Sequence, residues 1–139
     1  LASARLAGGA WPAGVRLMEV PCAGKIDPDM VLGAFREGMD GVLVLTCHPH
    51  ACYSLEGNTW AGHRLNYLRQ LLDETGLESR RLMTAAGASA MDREVLDQVN
   101  SALAEITQMG PSPLKLGARV RDLLAPFTRS VDEHFTLLT

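Results

Sequence analysis

Three cysteines and two loop histidines are the residues of this chain best suited to chemistry. Cys22, Cys47 and Cys52 are its three cysteines, and the last two bracket the run Cys47-His48-Pro49-His50-Ala51-Cys52. Thiolates are soft ligands that suit zinc or iron in a cluster, and a C-x4-C pair also occurs in plant-type iron–sulfur sites. All three cysteines stand near turn residues, Pro21, Gly24 and Pro49, rather than inside regular elements. That placement favours ligation over the plain alternative of three buried, inert thiols. His48 directly follows a candidate ligand and suits a hydrogen-bonding role around the site. His50 fits either that role or a loop histidine in water. His63 and His134 read as surface residues. Lys25 and Arg64 are able to offset the charge of a thiolate site, although most such charges are simply solvated. An odd number of cysteines does not suggest a secreted disulfide scaffold, so a reducing compartment, the cytoplasm, is expected.

The elements that must position these residues read as a small α/β unit. Val42-Leu43-Val44-Leu45, between Asp40-Gly41 and Thr46-Cys47, is the clearest strand. A continuous run of this kind suits a strand buried on both faces of a parallel sheet. Residues 15–20, ended by Pro21, predict a second strand, and residues 81–85 a weaker third. Asp27-Pro28 reads as N-cap and first helical residue. The helix they open runs to Glu37, with Val31, Ala34 and Phe35 on one face and Gly38 placed to end it. A second helix is predicted over 60–75, with the stripe Ala61, Leu65, Leu68 and Leu72; Gly57-Asn58 ahead of it reads as a turn. Trp60, at its start, is expected to pack in the core, with shielding of the cysteines the alternative. Ser89-Ala90-Met91-Asp92 resembles a capping box. The helix after it presents Val95, Val99, Ala102, Leu103 and Ile106 at helical spacing and stops at Gly110, Pro111 and Pro113. Residues 116–124 predict one more short helix.

Strands alternating with helices predict a small three-layer parallel sheet with flanking helices and a helical C-terminal extension. The expected division is 1–113 for the α/β domain and 114–139 for an extension that packs on the sheet or docks a partner. Residues 1–7 look like the end of a helix, so further residues are expected upstream of Leu1. Ligands in parallel sheets gather beyond the carboxyl ends of the strands, and neighbouring strands lie about 5 Å apart. Cys22 and Cys47, each after a predicted strand, are therefore expected to share one site. The 47–52 loop then curls back to bring in Cys52.

Bulk composition excludes several classes. A length of 139 residues suits one domain, and 47% apolar residues suffice for a core. The formal net charge of -3, with no basic run carrying interleaved aromatics, gives no nucleic-acid signature. No apolar stretch approaches the roughly 18 residues of a membrane span, and residues 1–10 lack the pattern of a signal peptide. Gly8-Gly9 has no dinucleotide fingerprint around it. Neither a Walker loop nor a serine nucleophile elbow is present.

Two stretches carry a specific likeness. Pro21-Cys22-Ala23-Gly24-Lys25-Ile26-Asp27-Pro28 and Gly38-Met39-Asp40-Gly41-Val42-Leu43-Val44-Leu45-Thr46-Cys47-His48-Pro49 resemble the iron–sulfur delta subunit of methyl-viologen-reducing hydrogenase. That family shows a Pro-Cys-Ser-Gly-Arg-Val-Asp-like run, then Gly-Ala-Asp-Gly-Val-Leu-Val-Leu-Gly-Cys-His-Pro-Gly-Asp-Cys-His, then Gly-Asn and an Arg-bearing helix. Gly57-Asn58, Ala61, Arg64 and Leu72 continue the match, and Ser89-Ala90 fits a later segment. The resemblance implies an α/β protein with a two-iron two-sulfur (2Fe-2S) cluster. It implies Cys22, Cys47 and Cys52 as cluster and metal ligands, with Gly24, His48 and His50 around them. It further implies electron relay in the cytoplasm between a heterodisulfide reductase A-like flavoprotein and a hydrogenase or formate dehydrogenase-type partner. This chain has His50 and Ala51 where the family has Gly and Asp, and Tyr53 where it has His. The family's amino-terminal strand carries a further Cys-x-x-Cys pair that does not occur here. A cluster of this kind takes four protein ligands. The fourth comes from an upstream segment or from His48 or another residue, or else this copy has lost its cluster.

The leading expectation is an electron-transfer component with no catalytic residue of its own. The enzyme alternative makes Cys47 a nucleophile with His48 or His50 as base; no orienting carboxylate is evident nearby in the sequence. The structural alternative is a cluster-free or zinc-stabilised scaffold within a complex.

Overall fold

The computed structural model describes residues 11–52, 54–87 and 92–116. Helix α1, Pro28–Arg36, starts as its sequence dictates: Asp27 Oδ1 accepts the Asp29 N–H at 2.8 Å, and Pro28 needs no donor there. Gly38, at φ +91°, takes the left-handed turn that ends it. Strands β1, Val42–Thr46, and β2, Leu82–Ala86, pair in parallel with Val42 beside Leu82 and Thr46 beside Ala86. Helix α2, Gly57–Glu74, makes the crossover between them, and α3, Asp92–Met109, follows β2. The fold is thus a small parallel α/β sheet with flanking helices.

The main core lies between α1, α2 and one face of the sheet. Val31, Leu32 and Phe35 of α1 meet Leu65, Leu68 and Leu72 of α2, with Val44, Leu77, Leu82 and Leu114 completing the cluster. Each such side chain removed from water contributes roughly 1.5–3 kcal/mol. Strand alternation turns Leu43, Leu45, Met83 and Ala85 to the other face. Val95 and Val99 of α3 are buried outside the main cluster. Two glycines let α3 close on the strands. A Cβ at Gly41 would collide with Ile106, and one at Gly87 would lie 3.3 Å from Val95 Cγ2.

A buried polar knot ties the opposite ends of the strands from the cysteines. Arg81, 2% exposed, enters β2 and donates to the carbonyls of Asp40, Gly110 and Pro111 at 2.9, 2.9 and 3.3 Å. Its Nε also donates to Glu78 Oε2 at 2.8 Å. Asp40 Oδ1 in turn accepts the Ser112 N–H at 2.8 Å. The entrances of both strands and the exit of α3 are therefore held by one guanidinium.

Four expectations differ from what folds. Residues 15–20 form no strand, and among the described residues they join neither β1 nor β2 in a ladder. A β-rich composition makes a segment extended, but a strand also needs a partner's backbone. The second helix starts at Gly57 rather than Trp60, so Gly57-Asn58 is helix and not turn. Trp60 is 58% exposed, not core. The buried stripe of α2 is Gly57, Ala61, Leu65, Leu68 and Leu72, and Trp60 falls beside it. On α3, Val95 and Val99 are buried while Ala102, Leu103 and Ile106 are only half-buried, because two strands cover only part of a helix of 18 residues. Residues 89–91 of the predicted capping box at 89–92, all of the predicted helix at 116–124 beyond residue 116, and His134 lie outside the described residues.

Candidate functional site

The cysteines gather at the N-terminus of α2, not across two strand ends. Cys22 heads a short 3-10 turn, Ala23–Lys25, and its sulfur accepts the Gly24 N–H at 3.3 Å. Cys47 directly follows β1. Cys52 sits in the loop before α2, and all three thiols are reduced and half-buried. What draws them together is Gly57, the first residue of α2. A Cβ there would lie 2.6 Å from Cys22 Sγ and 3.5 Å from Cys52 Sγ. The two sulfurs are then no farther apart than those lengths laid end to end. Gly24 packs against the same residue: its own Cβ would lie 2.9 Å from Gly57 Cα. Two glycines at one contact allow two cysteine-bearing segments to meet backbone to backbone.

The first turn of α2 supplies the electrostatics. Its N-cap residue, Glu56, makes no side-chain capping bond. First-turn N–H groups would otherwise lack partners; here those of Gly57 and Asn58 face the Cys52 sulfur, and that of Thr59 donates to Asn58 Oδ1 at 2.9 Å. The Asn58 N–H does most to hold the Cys52 thiol below the usual thiol range. Burial, the next largest influence, opposes it, and the Ser54 and Gly57 N–H groups and the Cys47 thiol add smaller lowering effects. A thiolate at a helix N-terminus is also favoured by the helix dipole. Cys47 is near enough to favour the Cys52 thiolate, and Cys52 lies beside Cys22 across Gly57.

The loop that carries two of the cysteines is held by its own turns. Ala51 N–H donates to the His48 carbonyl at 3.1 Å, and Leu55 N–H to the Cys52 carbonyl at 3.1 Å. Asn58 Nδ2 reaches the His48 carbonyl at 3.5 Å. His50 and Leu55 both adopt positive φ, +65° and +59°. His50 is exposed, whereas His48 is half-buried with Nε2 3.4 Å from Glu94 Oε2 of α3. Among the described residues neither histidine bonds to a cysteine sulfur. Glu94 is an orienting carboxylate that sequence reasoning misses, because 46 residues separate it from His48. Sequence also underrates Arg64. It is not simply solvated: its guanidinium donates to the carbonyls of Gly24 and Ile26 in the Cys22 turn. Lys25 and His63 are exposed.

The donor set fits an iron–sulfur cluster in kind. Two soft thiols, those of Cys22 and Cys52, lie around a glycine that leaves room for sulfur, with backbone N–H groups aimed at both and the Cys47 thiol near Cys52. Among the described residues no three His, Cys, Asp or Glu side chains close tightly enough for a single metal ion.

The family model of the methyl-viologen-reducing hydrogenase delta subunit matches residues 1–110. The chain belongs to this family. Its relatives include the vhc iron–sulfur protein of the F420-non-reducing hydrogenase of Methanococcus voltae. That protein is 35% identical over 105 residues, covering 76% of this chain and 73% of the relative. The vhu iron–sulfur protein of the F420-non-reducing hydrogenase of Methanocaldococcus jannaschii is also 35% identical over 105 residues, covering 76% and 78%. A different context appears in the large A polypeptide of the ferredoxin/F420H2-dependent CoB–CoM heterodisulfide reductase of Methanosarcina acetivorans. It is 31% identical over 101 residues, 73% of this chain but 13% of that polypeptide. Sequence of this kind thus occurs both in small hydrogenase proteins and as part of a long chain. Among the described residues no helix is long and apolar enough to cross a membrane.

Proposed function

We propose that this delta-family protein is a cytoplasmic electron-relay component that holds a 2Fe-2S cluster on Cys22, Cys47 and Cys52. The fourth ligand is His48 or another residue. The partners are a heterodisulfide reductase A-like flavoprotein and a hydrogenase or formate dehydrogenase-type protein. The observation that carries the reading is the convergence of Cys22 and Cys52 on Gly57, with Cys47 near enough to favour the Cys52 thiolate. The naming of the relatives as iron–sulfur components of hydrogenases supports it.

When bound, such a cluster accepts and returns single electrons. The chain's own residues do the rest. Gly24 N–H and the first-turn N–H groups of α2 stabilise negative charge on sulfur, which raises the reduction potential relative to a bare thiolate set. Gly57 keeps side-chain bulk away from Cys22 and Cys52. The Asn58–His48 contact fixes the 47–52 loop on α2. Residues 1–113 form the cluster domain, and the segment from 114 onward, anchored by Leu114 in the core, docks a partner.

The test is iron and acid-labile sulfide per chain, with a visible spectrum, on anaerobically purified full-length protein in its complex. The expected result is about two irons and two sulfides per chain, with bleaching on reduction. Iron-free or zinc-only protein would sink the relay. A thiol-enzyme reading gains one observation, the His48–Glu94 pair, but that pair does not reach a cysteine sulfur among the described residues. A colourless protein whose Cys47 is selectively acylated would favour it.

A further inference from the structure

Arg64 lies on α2 two turns after Gly57 and is half-buried. Long helical side chains lean toward the N-terminus, and this one runs back along the helix to the cysteines. Its Nε faces the Trp60 carbonyl at 3.5 Å, and Nη1 donates to the Ile26 carbonyl at 3.4 Å. Nη2 donates to the Gly24 carbonyl. The last two acceptors flank Lys25 in the turn that Cys22 heads. Gly24 is thus held on both sides: its N–H bonds to Cys22 Sγ and its carbonyl to Arg64. Among the described residues Arg64 pairs with no carboxylate, unlike Arg16, Arg36 and Arg81. Its half-buried guanidinium thus has only carbonyl partners, beside the turn that carries Cys22.

We propose that Arg64 is a positioning residue for the redox site: its guanidinium fork clamps the Cys22 turn onto the first turn of α2, and its charge makes the bound cluster easier to reduce. The inference rests on the relay reading for its second half only. The clamp concerns the protein's own atoms. Arg69 provides a matched control. It sits on the same helix and also lacks a carboxylate partner among the described residues, but it donates to the Leu82 carbonyl at 2.8 Å and to Thr84 Oγ1 at 3.0 Å, away from the cysteines.

The experiment compares wild type, Arg64→Gln, Arg64→Lys and Arg69→Gln as full-length, anaerobically purified protein. Each is challenged with an iron chelator in the presence of a maleimide, and labelled cysteines are identified by peptide mass. Arg64→Gln is expected to lose iron about tenfold faster, the equivalent of one charge-assisted bond, with Cys22 labelled first. Its reduction potential is expected to fall, because a positive charge that favours the reduced form is gone. Arg64→Lys keeps the charge but not the fork; it should hold the potential near wild type while releasing Cys22 faster, and it serves if the Gln variant does not fold. Arg69→Gln should behave as wild type in all three readouts. Wild-type iron loss, labelling order and potential in Arg64→Gln overturn the proposal, as does an equal effect of Arg69→Gln. If the wild-type protein carries no iron, the relay reading fails. The clamp is then decided by labelling alone: faster Cys22 modification in Arg64→Gln upholds it, and an unchanged rate ends it.

Discussion

Replacing Gly57 with alanine separates the site from the fold. The new Cβ would stand 2.6 Å from Cys22 Sγ, where a comfortable contact is about 3.5–4.0 Å. About 1 Å must therefore be found. The Cys22 turn cannot easily supply it, because Gly24 already meets Gly57 backbone at 2.9 Å in Cβ terms and Arg64 holds the Gly24 and Ile26 carbonyls. Overpacking of this kind costs about 1–3 kcal/mol. Alanine in a helix recovers about 0.5–1 kcal/mol over glycine. Global stability should then fall by no more than about 2.5 kcal/mol, while Cys22 Sγ moves by a large fraction of a bond length. The assay pairs urea unfolding with iron and sulfide content. The expected outcome is a folded chain with iron lost or released far faster than in wild type. Gly62→Ala is the internal control. It lies on the same helix with nothing within 4 Å of its Cβ, and it should stabilise by about 0.5–1 kcal/mol and leave iron untouched. A Gly57→Ala protein with full iron, wild-type release rate and wild-type stability would refute the claim that Cys22 is pinned over that residue.

Three further outcomes follow from the same geometry. Arg81→Ala should cost about 3 kcal/mol or more, because three backbone carbonyls lose a charged donor together; a urea midpoint shift smaller than that of Gly57→Ala would show the knot to be redundant. Cys52 should alkylate at lower pH than an ordinary thiol of pKa about 8.5, because the Asn58 N–H favours its thiolate. Its folded-state pKa is depressed, so in the iron-free chain the associated stability is complete above the ordinary thiol pKa and disappears as pH falls through the lowered value. Iodoacetamide rates at the Cys52 peptide across pH would show this, and an inflection at the ordinary value would contradict it. Cys22→Ser, Cys47→Ser and Cys52→Ser should each lose iron by colorimetric assay without unfolding, since no disulfide and no core position is removed.

Local chemistry made much of this protein legible from residues alone. Asp27-Pro28 caps and opens α1 because an Asp oxygen and a donor-free ring suit a helix start wherever they occur together. Val42 to Leu45 becomes β1, and Ala61, Leu65, Leu68 and Leu72 become the buried stripe of α2, because hydrophobic period selects the element that can bury it. The cysteine pattern, with its neighbouring prolines and glycines, was enough to place the family. Tertiary contacts decided the rest. Residues 15–20 carry strand propensity but have no ladder partner among the described residues, so the expected route to the site through two strand ends does not hold. Gly57 reads as a turn until Cys22, Cys52 and Gly24 pack against it and their contacts supply the helix start with its partners. Arg64 and Glu94 look like surface charges in one dimension. They become a clamp on the Cys22 turn and a partner for His48 only when segments 38 to 46 residues apart are folded side by side. Short-range propensity is written residue by residue, whereas a hydrogen bond between distant segments exists only once the core has brought them together.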